Sequence, residues 1–68
     1  MKKIDARGLS CPEPVILTKN ALNDKENEYE IYVDNYAAKE NVTRFCEYNG
    51  FSVNVTKKED DFILEIKK

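Results

Sequence analysis

The sequence predicts an α+β fold: a two-layer α/β sandwich in the order β-α-β-α-β-β, with a four-stranded mixed sheet and two helices on one face. Three observations predict it. Apolar and polar residues alternate in four short stretches, the period of half-buried strands. Two longer stretches between them repeat at helical spacing instead. Each strand has one apolar and one mixed face, whereas a sheet covered on both sides would be apolar throughout. Both helices therefore belong on the same side of the sheet.

Residues 3–6 form the first short strand, with Ile4 and Ala6 on one face. Arg7-Gly8-Leu9-Ser10 is then a loop in which Gly8 is free to take a positive φ. A helix is expected from Pro12 to Asn23. At 100° per residue Leu17, Ala21, Pro14, Thr18, Leu22 and Val15 share one face, while Glu13, Lys19, Asn20 and Asn23 share the other. Ile16 falls among that polar group and breaks the pattern. Tyr29, Ile31 and Val33 alternate with Glu30, Tyr32 and Asp34 in a second strand. Asp34 or Asn35 offers an N-cap for the second helix, whose inward face is Ala38, Val42, Phe45 and Cys46. Asn49-Gly50 is its stop signal. Phe51, Val53 and Val55 make one inward row of a final hairpin, and Phe62, Leu64 and Ile66 the other, joined by a charged turn at 57–61. Tyr29, Tyr32, Tyr36 and Tyr48 are scattered and read as packing or sheet-face cover.

Sixty-eight residues are one domain, 1–68, small enough that a disulfide or metal staple is worth seeking. Two cysteines without a histidine do not make a zinc site, and their spacing recommends no disulfide. No metal and no cofactor is expected, and core packing does most of the stabilising. The net charge of −2, with signs interspersed, argues against a nucleic-acid backbone as partner. No stretch approaches the roughly 20 apolar residues that span a bilayer, and the N-terminus lacks the apolar core of a signal peptide. The expectation is a cytoplasmic protein with free thiols.

The candidate chemistry lies at Cys11. A cysteine at a helix N-terminus faces the positive end of the helix dipole, which favours thiolate over thiol. It stands outside the apolar stripe of its helix, so burial as a small hydrophobe has no obvious reason. Pro12 and Pro14 fix two φ angles of the first turn and hold the helix start rigid. They also remove two N–H donors, leaving the amide of Glu13 as the nearest donor to a thiolate, and only a modest gain in acidity is expected. Arg7 and Lys19 are cations near enough in sequence to pair with an anionic sulfur, or else solvated surface. Glu13 opposes ionisation, and Asp5, at the end of the first strand, either orients Arg7 or the loop or is simply a strand-end charge. Cys46, on the buried stripe of the second helix, reads as a core residue. Without histidine there is no Cys–His nucleophile pair, and without Cys-x-x-Cys no intrachain exchange. One thiol on a rigid mount suits a carrier.

Asp5-Ala6-Arg7-Gly8-Leu9-Ser10-Cys11-Pro12-Glu13-Pro14 resembles the D-x-x-G-L-x-C-P-x-P signature of the TusA/SirA/YedF family, and the likeness extends along essentially the whole chain. The family fold is the β-α-β-α-β-β sandwich already read from the pattern. The resemblance implies a sulfur carrier that accepts sulfane sulfur as a persulfide on Cys11 and relays it to an acceptor. The implied donor is a cysteine desulfurase or a rhodanese-like protein. The implied acceptor is a DsrE-like protein or domain, serving tRNA thiolation or related sulfur metabolism. Such a carrier is enzymatic only as a sulfurtransferase half-reaction. The segment from Val33 to Phe45 looks more like the YedF branch, which is linked to selenium metabolism and in which this domain often precedes a DsrE-like one. The stop at Lys68, directly after the last strand, also suits a domain excised from a longer chain.

The rival reading is a non-enzymatic regulatory or interaction module with a redox-sensing or structural cysteine. Asp5, Arg7, Gly8, Pro12, Glu13 and Pro14 are the expected supports of Cys11. Ile16, with Lys19 beside it, is the candidate docking contact for a partner that closes over the sulfur.

Overall fold

The alternation of residues 28–33 is realised as a central strand whose Tyr29, Ile31 and Val33 are buried while Glu30 and Tyr32 face the opposite side. The computed structural model describes residues 2–10, 12–24 and 26–68. Its elements are β1 (Lys2–Asp5), α1 (Glu13–Leu22), β2 (Glu28–Val33), α2 (Tyr36–Tyr48), β3 (Ser52–Lys58) and β4 (Asp61–Lys67), in the predicted order. The sheet runs β1-β2-β4-β3. β1 pairs parallel with β2, whereas β4 pairs antiparallel with both β2 and β3. The sheet is therefore mixed, and β4 returns from the hairpin to sit beside the central strand.

Register brings the apolar residues of neighbouring strands onto one face. Ile31 stands opposite Ile4 on one side and Leu64 on the other, and Tyr29 stands opposite Ile66. Both helices cover this face. α1 contributes Pro14, Thr18 and Ala21, and α2 contributes Ala38, Val42 and Cys46, all buried. Each large aliphatic side chain in this layer contributes roughly 1.5–3 kcal/mol of burial. Thr18 is the buried polar member, and its hydroxyl donates to the carbonyl of Pro14 at 2.8 Å, so its burial leaves no unmet donor.

The helix ends follow local chemistry. Asn35 caps α2, its Oδ1 accepting the Ala38 N–H at 2.8 Å. Gly50, at φ 87°, closes it, with its N–H donating to the Glu47 carbonyl at 3.1 Å. Three expectations need correction. The charged turn is tighter than 57–61: the strands run to Lys58 and restart at Asp61, with Glu59 at φ 55°. Val55 is 41% exposed rather than inward, because β3 is the sheet edge and the helical layer does not reach that far along it. Tyr36 and Tyr48 are exposed on α2 rather than packed in the core or over the sheet, since their positions lie off its buried stripe.

Candidate functional site

The loop between β1 and α1 is pinned at both ends by backbone geometry. The Ala6 N–H donates to the Tyr32 carbonyl at 2.8 Å, extending the β1–β2 pairing by one residue. Gly8 takes φ 79°, a conformation that costs other residues steric strain. Its N–H donates to Asp34 Oδ2 at 2.8 Å. On the helix side the Ser10 carbonyl accepts the Glu13 N–H at 3.0 Å, and the Pro12 carbonyl accepts the Ile16 N–H at 3.1 Å. Pro12 occupies the N-cap and Pro14 packs into the core, so the first turn is anchored inward as well as stiffened. Cys11 itself lies outside the described residues, and so does its expected orientation at the helix start. The residues on either side form the mount.

Two features of this mount were not read from the sequence. The Glu13 amide, expected to be the nearest donor to an anionic sulfur, is already engaged by the Ser10 carbonyl. The sequence offers Asp34 only as a helix cap. The structure gives that role to Asn35 and uses Asp34 to hold Gly8, with the Asn35 amide donating to Asp34 Oδ1 at 3.2 Å. The one available signal was the presence of two cap-forming residues where a helix needs one.

Asp5 and Arg7 form a forked pair, with Nε to Oδ1 and Nη2 to Oδ2 both at 2.9 Å. The third guanidinium nitrogen, Nη1, reaches Asp61 Oδ2 at 3.1 Å, and the group stands 5.7 Å from the centre of the Tyr32 ring. The hydrogen bonds from Arg7 hold the Asp5 carboxyl down at about 2, and the two carboxylates reinforce the Arg7 charge. Arg7 thus ties the end of β1 to the β3–β4 hairpin on the helix-free face of the sheet.

The helix face offers a different surface. Ile16 is 43% exposed, as its place in the pattern predicted. Between α1 and α2 lies an apolar cavity of about 460 Å³, walled by Pro12, Val15, Asn41, Arg44, Phe45 and Tyr48. Lys19 is exposed farther along α1 and borders a second cavity of about 380 Å³. Cys46 is a free thiol at 0% exposure, and burial, with Glu47 adding to it, pushes its pKa up to about 12. It is held as a neutral core residue. Among the described residues no helix is long and apolar enough to cross a membrane.

A two-layer sandwich whose first helix opens on a Cys-Pro-x-Pro motif, with Pro12 at the N-cap and Pro14 in the core, defines a class of small carrier domains. The chain belongs to the TusA family: the family described as Sulfurtransferase TusA matches residues 2–68. A protein of Methanocaldococcus jannaschii named as a candidate sulfur carrier is 42% identical over 71 residues, spanning 100% of this chain and 95% of that one. A Bacillus subtilis protein named in the same way, YrkI, is 31% identical over 64 residues, spanning 91% and 85%. Among solved structures, the SirA-like protein of Desulfitobacterium hafniense superposes with a TM-score of 0.87 at 31% identity, covering 98% of this chain and 96% of that one. The chain is a sulfur carrier of this family.

Proposed function

We propose that the protein carries sulfane sulfur as a persulfide on Cys11 and relays it from a donor protein to an acceptor protein. The observation that carries this reading is the mount. Gly8 is held by Asp34, Ser10 by Glu13 and Pro14 by the core, so the residues flanking Cys11 are fixed with little spare freedom. A carrier thiol must be presented to two different proteins in turn, and a pre-ordered loop lowers the entropy lost at each encounter.

The transfer is a thiol exchange. The Cys11 thiolate attacks the outer sulfur of a donor persulfide, Cys–S–SH. The sulfur–sulfur bond of the donor breaks, its thiolate leaves with the electron pair, and Cys11 becomes Cys11–S–SH. The acceptor thiolate repeats the step on Cys11. No net oxidation occurs, and no cofactor is required. The donor is a cysteine desulfurase or rhodanese-like protein, the acceptor a DsrE-like protein, and the compartment cytoplasmic. Ile16, exposed on α1 four residues after Pro12, supplies an apolar contact that helps the partner exclude water.

Intact-mass spectrometry after incubation with L-cysteine and a cysteine desulfurase tests the reading. The expected product gains the mass of one sulfur atom, removable by dithiothreitol and absent from Cys11→Ser. A protein that is oxidised by peroxide at Cys11 yet takes up no sulfur would be a redox sensor instead. Replacing L-cysteine by selenocysteine decides whether selenium is also carried.

A further inference from the structure

The surface between the helices combines an apolar floor with a border of one charge sign. Phe45 lines both interhelical cavities, so the two meet at its side chain. Pro12 and Val15 continue the floor toward the motif loop, while Leu22 and Phe51 continue it toward the far end of α1. Among the described residues, the charged side chains lining the two cavities are Arg44, Lys19 and Lys68, and no carboxylate side chain lines either of them. This is a cationic strip on a chain whose net charge is −2. Lys68 stands 5.4 Å from the centre of the Phe51 ring, which places its charge over the apolar floor. The carboxylates on these helices lie outside the groove, and Glu40, for example, is paired with Lys39 at 3.4 Å. Tyr48, 90% exposed, stands at the border of the groove as a large amphipathic side chain.

We propose that this groove is the docking site for an acidic amphipathic segment of a sulfur-relay partner, laid along the α1–α2 seam with its apolar side on Phe45 and its carboxylates on Arg44, Lys19 and Lys68. The inference rests on the carrier reading for its purpose, since one end of the groove is Pro12, the residue that follows Cys11. It rests on charge complementarity for the identity of the occupant. An apolar groove alone would accept any hydrophobic helix, whereas a border of cations rejects basic ones and orients acidic ones. The groove is thus a selector: it admits the partner at Pro12, next in sequence to Cys11.

The probe is a synthetic amphipathic helix of about four turns, with leucine and phenylalanine on one side and glutamates flanking them. Its counterpart has every glutamate replaced by lysine. Binding to the ¹⁵N-labelled protein is followed by amide shifts and by fluorescence anisotropy of the labelled peptide. The acidic peptide should shift the amides of Val15, Arg44, Phe45 and Tyr48 and bind at least tenfold more tightly than the basic one. Raising the salt should weaken it. Arg44→Glu combined with Lys19→Glu should reverse the preference with the melting temperature kept, and Tyr48→Ala should weaken both peptides.

Equal binding of the two peptides, or shifts confined to the helix-free sheet face, would overturn the proposal. So would concentration-dependent self-association that buries Phe45 and Tyr48, because the occupant would then be a second copy. Loading of Cys11 by inorganic polysulfide, read by intact mass in the same variants, separates the two claims. A double variant that loads normally from polysulfide but has lost acidic-peptide binding supports the groove. A wild-type protein that binds the peptide but takes up no sulfur leaves the groove standing and removes the carrier reading.

Discussion

At the scale of single residues, the proposal gives the two cysteines separate roles, chemistry for Cys11 and packing for Cys46. Cys46 is sealed between α2 and the sheet, and burial keeps it protonated. Iodoacetamide at neutral pH should therefore label Cys11 quickly and Cys46 only after unfolding, as peptide mapping would show; faster labelling of Cys46 would reverse the assignment. Cys11→Ser should abolish sulfur loading and leave the melting curve unchanged. Cys46→Ser should load normally but lose roughly 1–3 kcal/mol, the cost of a buried hydroxyl without a partner. Gly8 makes a sharper test of the mount. A Cβ added there meets nothing within 4 Å, so Gly8→Ala has no clash to relieve. Its φ of 79° alone should cost about 1–2 kcal/mol in a denaturant titration.

At the scale of elements, the question is how the loop before α1 is coupled to its neighbours. Asp34 sits between β2 and α2 and accepts the Gly8 N–H, so one carboxylate joins the motif loop to the start of the second helix. Asp34→Ala should lower stability by about 0.5–1.5 kcal/mol and slow sulfur loading. Asp34→Asn keeps an oxygen acceptor and should recover most of the rate. If loading by polysulfide is unchanged in the alanine variant, the loop does not need this tether. The outward face of α1 makes a separate prediction. Ile16→Lys should stay within about 0.5 kcal/mol of the parent, as a surface site does. It should slow transfer between proteins while leaving chemical loading by polysulfide intact. A melting temperature lower by several degrees would mean that Ile16 packs as core.

At the scale of the whole molecule, stability should fall at both ends of the pH range for different reasons. Asp5 is depressed to about 2 in the fold by its Arg7 hydrogen bonds, below its ordinary value near 3.8. A depressed carboxylate stabilises above its unfolded pKa and loses that contribution as pH falls between about 4 and 2. The pair is exposed, so the effect is modest and screened by salt. Cys46 works in the opposite direction. Its proton is held more tightly in the fold than in the unfolded chain, so stability is complete below pH 9 and is lost progressively between about 9 and 12. Urea titrations across pH should show the alkaline loss reduced in Cys46→Ala, and the acid loss reduced in Asp5→Asn. Unchanged pH profiles in these variants would mean that other groups govern the two limits.

Local pattern was enough to place the elements. The period-two runs at Tyr29–Val33 and Phe62–Ile66 and the helical stripe through Pro14, Thr18 and Ala21 are properties of neighbours in sequence, and each became the buried side of its element. The motif from Asp5 to Pro14 likewise names the family, and the exposure of Ile16 followed from helix phase alone. Periodicity says which side of a strand faces inward but not how far the covering layer extends, so Val55, inward by pattern, lies open at the edge. The partners of the loop were equally hidden. Arg7 meets Asp61 across 54 positions and Gly8 meets Asp34 across 26, contacts that exist only because β4 inserts beside β2 and β2 lies beside β1. The sequence by itself determined the elements, most of their inward faces and the family motif, because these depend on covalent spacing and side-chain type. Tertiary structure alone decided what braces the loop and which charges border the interhelical groove, because strand order, not sequence distance, brings those groups together.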